Sequence, residues 1–463
     1  MKKEIKRYLR KIFTKVKDYY RYHVEWINKP KAKLVIEFDT KDWGGCQLFV
    51  GDINNDGEKE FLWLQSLGIF KSRLFDNINP IMDKNILKHG SNTFCLTATD
   101  KNGNVLWQIG HPYEGKKPYI SHATEQMVEI ADVDGNGEIE VLVLNSCDEL
   151  LMLQASTGRI KNRVKLPLDN FATIVTGIVN PTTSERIILV GVSDKSYTPY
   201  SYANPWLILD SSLNILSTNE YKGAGHNVAV LDADRDDQDE FIIGYQLVDT
   251  SGDVIWTLDE WLNKEINPQQ QHADFIDKIF DDDEWFAAIA GSDKQYWVNS
   301  KGKTIWSKQL VHPQFCVIGE DNMSKRIFVF NQRHNMQCFD QMGFLLWEGL
   351  LPENWPKGRP PGAYISRPIH CNIPAIKIDI KLENNLLIYK EGGWPYITDF
   401  YGNIKIIIPF SGKYKQPKYI TSWKRLNDIG LSYEVEISDL DNDGCGEIIV
   451  YNREHVWIYQ LPT

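Results

Sequence analysis

Cysteine is scarce and odd in number. The seven residues Cys46, Cys95, Cys147, Cys316, Cys338, Cys371 and Cys445 form no C-x-x-C pair. That excludes zinc-finger spacing, argues against a disulfide framework, and fits reduced thiols in a cytoplasmic protein. No apolar run approaches the ~20 residues of a membrane-spanning helix. No Pro-, Gly- or Ser-rich stretch stands out as a disordered linker. Excess positive charge is also missing. The net charge is −11, so the surface repels phosphate backbones and nucleic acid is not an expected partner.

The first 30 residues run against that balance, with ten Lys or Arg. They open like a signal peptide, but charged residues interrupt the apolar run that must follow. Ile5, Leu9, Ile12, Phe13, Val16 and Tyr20 fall on one face at helical spacing. The segment 1–30 is therefore expected to form a basic amphipathic helix, packed on the domain or mediating self-association.

What is abundant is aromatic: 15 Trp, 21 Tyr and 19 Phe, a composition suited to sheets. A turn followed by a short apolar run recurs, often ending in Trp: DKNGNVLW to Trp107, TSGDVIW to Trp256, SKGKTIW to Trp306 and DQMGFLLW to Trp347. Weaker copies start at Ser156, Ser211 and Tyr401. Each reads as a β-hairpin, and the interval is that of a four-stranded propeller blade. The expected blades span 46–110, 126–167, 172–218, 226–258, 272–308, 312–349 and 367–409. The block 433–461 supplies about three strands more. The strand KLVIEF at 33–38 has no blade of its own and is expected to complete that last one, closing the ring. The fold class is thus an all-β, eight-bladed propeller over residues 31–463, with seven blades as the alternative.

Four loops share the pattern D-x-[DN]-x-[DN]-(G)-x-x-E. They are Asp52, Asn54, Asp56 and Glu60; Asp132, Asp134, Asn136 and Glu140; Asp232, Asp234, Asp236 and Glu240; and Asp439, Asp441, Asp443 and Glu447. Calcium takes about six to eight oxygens, and alternate carboxylates in a tight loop can supply them. The Glu stands ninth rather than twelfth and β-rich runs follow, so these are not EF-hands. Up to four Ca²⁺ ions are expected. The third loop carries Asp237 where the others have Gly, so its site is expected to be weaker.

Six residues before each first Asp, at the start of a strand, stand Cys46, Gln126, His226 and Tyr433. Two further blades open on His272 and His312. Three histidines opening consecutive blades can converge near the axis, either as a site for an additional divalent metal or as acid–base groups. Asn227 and Asp274 adjoin two of them. The stretch PENWPKGRPPGAYISRPIH contains Lys357, Arg359 and Arg367, which could grip an acidic sugar.

The segment GHNVAVLDADRDDQDEFIIG, followed by HADFI, resembles the rhamnogalacturonan lyases built on eight-bladed calcium propellers. The similarity continues through HPQ, GGWPYITDFYGN and DLDNDGCGEIIVYNREHVWIY into related FG-GAP proteins, and covers most of residues 33–463. The acidic loops resemble FG-GAP-type calcium loops, which implies that their ions are structural. The resemblance implies β-elimination from a uronic acid, with His226 and His272 as base or metal ligands and His312 and Tyr433 as acid or orienting groups. Gln126, Asn227, Asp274, Lys357, Arg359 and Arg367 would contact an acidic oligosaccharide. The chain lacks the export signal of the secreted lyases and is shorter, which puts attack on an intact polymer in doubt. Two alternatives stay open: a rhamnosidase-like glycoside hydrolase, for which no convincing carboxylate pair stands outside the acidic loops, and a non-catalytic propeller that binds a sugar or a protein.

Overall fold

The computed structural model describes residues 29–44, 47–66, 94–112, 126–145, 148–168, 171–192, 197–264, 271–281, 284–321, 324–331, 335–350, 366–370, 385–390, 396–401, 404–409, 434–444, 446–452 and 454–462. The expected N-terminal helix lies almost wholly outside them.

The described chain is all-β. It contains eight four-stranded antiparallel sheets, seven of them built from four strands in chain order. We number the sheets from 1 to 8. Their first strands are Gln47–Gly51, Val128–Ala131, Phe171–Asn180, Val228–Leu231, Ala273–Phe280, Pro313–Asp321, Ser366–His370 and Glu434–Ser438. Sheet 8 draws its fourth strand from the start of the chain. Lys33–Asp39 pairs antiparallel with His455–Gln460, the last strand of the sequence.

Burial follows strand position. Second strands such as Glu60–Ser66 are buried along their length around a continuous apolar stretch, here Phe61–Leu64, as expected for strands covered on both faces. Fourth strands are mostly open. In Val105–Gly110 only Trp107 is buried.

That tryptophan explains the sequence repeat. Trp107 Nε1 donates to Ala155 O of sheet 2 at 2.8 Å, Trp256 Nε1 to Ser300 O of sheet 5 at 3.0 Å, and Trp347 Nε1 to Phe400 O of sheet 7 at 2.7 Å. Each indole tacks one sheet to the outer hairpin of the next. The hairpin glycine admits the ring: a Cβ on Gly302 would lie 2.6 Å from the Trp256 indole. Phe38, on the strand borrowed by sheet 8, covers Gly103 of sheet 1 in the same manner. Sheets 7 and 8 meet where Tyr459 Oη donates to Pro409 O at 2.7 Å.

First strands of consecutive sheets lie side by side from sheet 2 to sheet 7. Side chains and carbonyls tie them together. Ile276 N donates to Asn227 Oδ1 at 3.2 Å, and Ile318 N donates to Asp277 Oδ2 at 2.7 Å. The residues that open these strands are therefore brought toward one another.

Candidate functional site

Three histidines meet on one carboxylate. His226 precedes the first strand of sheet 4, His272 that of sheet 5 and His312 that of sheet 6. Asp274 is the second residue of the sheet 5 strand. Its Oδ1 accepts from His272 Nε2 at 3.1 Å, with His226 Nε2 at 3.6 Å from the same oxygen. His312 Nε2 stands 3.2 Å from Oδ2. His226, His272 and Asp274 are buried, whereas the His312 side chain keeps 27% of its surface exposed.

Local structure explains the convergence. Gly225 lies against sheet 5 so closely that a Cβ there would come within 1.8 Å of Ala273 O. Only a residue without a side chain lets the His226 segment approach Asp274. The His272 backbone is fixed on both sides: its N–H donates to Ser292 Oγ at 2.8 Å, and its carbonyl accepts from Tyr245 Oη at 3.2 Å. Ser292 Oγ also stands 3.3 Å from His272 Nδ1, which leaves Nε2 for Asp274. Tyr202 from sheet 3 lies against the His272 ring, centroids 4.9 Å apart. His312 takes a left-handed backbone, φ 46°, a strained conformation of the kind that clusters at functional sites.

The electrostatics follow from this geometry. Burial alone would raise the Asp274 carboxyl. The hydrogen bond from His272, the contact with His312 and the charges of His272 and His226 outweigh burial and hold it below the usual carboxylate range. Asp274 Oδ2 is buried, and its contact is with His312 Nε2. His226, His272 and Asp274 offer ligand atoms all within 4.8 Å of one another. Two imidazole nitrogens and one carboxylate fit a divalent cation.

The other expected residues fall elsewhere. Asn227 spends its amide oxygen on Ile276 N, tying sheet 4 to sheet 5. Gln126 opens sheet 2, with its carbonyl accepting from Ile174 N at 2.7 Å and its Nε2 donating to Glu129 Oε2. Burial lifts that Glu129 to about 7, against hydrogen bonds from Thr176 and Gln126 and the charge of Arg186. Arg367 stands in the first strand of sheet 7. Lys357, Arg359 and Tyr433 lie outside the described residues. Ser292 and Tyr202 were not legible as site residues: both come from connections between inner strands, where no repeat marks them.

The four acidic loops share one geometry. In each, the first Asp accepts from the backbone N–H of the sixth residue: Gly57, Gly137, Asp237 and Gly444, at 2.8–3.1 Å. The final Glu accepts through Oε2 from the residue after the first Asp: Ile53, Val133, Ala233 and Leu440, at 2.6–3.0 Å. Asp237 adopts φ 66° where the glycines hold 86–90°. Burial and the neighbouring carboxylates lift Glu60 to about 6 and Glu240 and Glu447 to about 7. Carboxylates crowded in this way fit a cation. In the last three loops the first Asp, the second Asp and the Glu bring their oxygens within 4.8 Å.

No family model matches the chain, and no curated protein matches it. Solved structures do. An exotype rhamnogalacturonan lyase, YesX, aligns with TM-score 0.58 at 14% identity, over 94% of this chain and 75% of that one. A rhamnogalacturonan lyase from Bacillus licheniformis aligns at 0.54 and 14%, over 94% and 74%. The V. cholerae biofilm matrix protein Bap1 aligns at 0.54 and 10%, over 94% and 91%. At such identities the likeness is one of fold, a β-propeller.

Proposed function

We propose that this chain is a lyase that cleaves rhamnose- and uronate-containing acidic oligosaccharides by β-elimination, at the site formed by His226, His272, Asp274 and His312. One observation carries the reading: three imidazole Nε2 atoms from consecutive sheets gather on one buried carboxylate. The fold shared with rhamnogalacturonan lyases supports it.

In this reading the eight sheets are the eight blades of one propeller over 31–463, closed by the pairing of Lys33–Asp39 with His455–Gln460. Calcium holds the acidic loops as scaffold, and residues 1–30 form a basic helix. The protein works in the reducing cytoplasm, in keeping with the buried free thiols of Cys95, Cys316 and Cys338.

Elimination needs positive charge beside the uronate carboxylate and a base for the proton on the adjacent carbon. A divalent cation held by His226, His272 and Asp274 would supply the charge. His312 is the most exposed of the three histidines and takes the proton. The electron pair of that C–H bond becomes the new double bond, the neighbouring glycosidic C–O bond breaks with its pair on the departing oxygen, and that oxygen takes up a proton returned by the His312 imidazolium or by water. Arg367, and with it Lys357 and Arg359, would bind the acidic sugar.

The test is incubation with rhamnose–uronate oligosaccharides, following the ultraviolet absorbance of the unsaturated uronate. Rising absorbance is expected. New reducing ends without absorbance would make the protein a hydrolase. Neither, across a substrate panel, would make it a binding protein.

A further inference from the structure

The second acidic loop brings its carboxylates together as the third and fourth do, but a lysine ammonium already stands on them. Lys161, on the fourth strand of sheet 2, places Nζ 2.5 Å from Glu140 Oε1 and 3.4 Å from Asp134 Oδ2. Glu140 is fully buried. Its Oε2 is already committed to Val133 N, so Oε1 is the oxygen left for a cation, and the ammonium holds it.

The register shows that this lysine departs from a repeat. Every fourth strand carries a β-bulge at one ladder position, and Lys161 is the bulged residue of sheet 2, between Ile160 and Asn162. In the other sheets that bear an acidic loop, the same bulge holds Leu106 in sheet 1, Ile255 in sheet 4 and Val35 in sheet 8. All three are exposed and apolar, and none can neutralise a carboxylate. Sheet 2 alone among these four sets a cation there.

We infer that the second loop is closed by the protein's own Lys161 ammonium, and that calcium enters only the loops of sheets 1, 4 and 8. The inference rests on the reading of the acidic loops as calcium sites. A calcium ion needs contact with carboxylate oxygens at ~2.4 Å. It would have to displace the ammonium from Glu140 or share that oxygen with a like charge. Sheet 2 therefore keeps its loop folded in the absence of calcium, while the loops of sheets 1, 4 and 8 depend on the ion.

The experiment counts calcium ions on the full chain by equilibrium dialysis after chelator treatment, comparing wild type, Lys161→Leu and Leu106→Lys. Lys161→Leu restores the apolar bulge residue of the other sheets and is expected to bind one more ion than wild type. The extra ion should disappear again in Lys161→Leu with Asp132→Asn. Leu106→Lys, a substitution at an exposed position, is expected to bind one ion fewer. Equal counts in wild type and both variants would overturn the role of Lys161 and leave the calcium loops standing. No calcium on any of them would overturn both.

Discussion

His272 Nε2 lies 3.1 Å from Asp274 Oδ1, two residues along the chain, and this contact organises the site. Asp274→Asn keeps the shape and removes the charge that faces His226, His272 and His312. A loss of turnover on the order of 10²–10⁴-fold is expected, the range for removing a positioned acid–base system. The measurement is kcat against the melting temperature. A loss of fold stability with unchanged turnover would contradict the role.

Gly225 tests the same contact from outside it. Gly225→Ala puts a methyl within reach of Ala273 O and pushes the His226 segment away from Asp274. Displacements near 1 Å can cost about 10²-fold in rate. A fall of that order is expected in any activity the site supports, while calcium binding at the loops is retained.

The acidic loops make stability depend on pH in the absence of metal. Glu60, Glu240 and Glu447 are lifted from the ordinary 4.5 to about 6, 7 and 7. A carboxyl raised on folding favours the folded state below its ordinary value and loses that contribution as pH rises through its folded value. In chelator, the melting temperature should therefore fall between about pH 4.5 and pH 7. Excess calcium binds the folded form and should remove that fall. Calorimetry at several pH values, with and without calcium, decides it. Superposable profiles would contradict calcium binding.

Asp237 provides a backbone test. It takes a left-handed φ of 66° where the equivalent residues are glycine. Asp237→Gly should raise stability by up to about 1 kcal/mol, because glycine adopts that conformation without strain. Tighter calcium binding at that loop is expected with it, measured by titration of the single variant.

Much of this was legible in the sequence, for physical reasons. The turn-plus-Trp repeat marks the fourth strand because one indole must reach the next hairpin, so Trp107, Trp256, Trp306 and Trp347 recur. The acidic loops show because their spacing is dictated by alternate side chains facing one point. Histidine register brought His226, His272 and His312 into view. It did not show Asp274 as their hub, which sequence reasoning placed among sugar contacts. Nor did it show Asn227 bonded to the next sheet. Ser292, Tyr202 and Lys161 act across sheets or strands, and a partner reached through space leaves no trace in local spacing.

The most direct test is the absorbance assay for unsaturated uronate, run on wild type, His226→Ala and His272→Ala with a rhamnose–uronate oligosaccharide. Wild type is expected to generate the chromophore, and each variant to lose it by at least about 10²-fold while melting as a folded protein. Full activity in both variants, or no chromophore from wild type on any such substrate, would contradict the assignment.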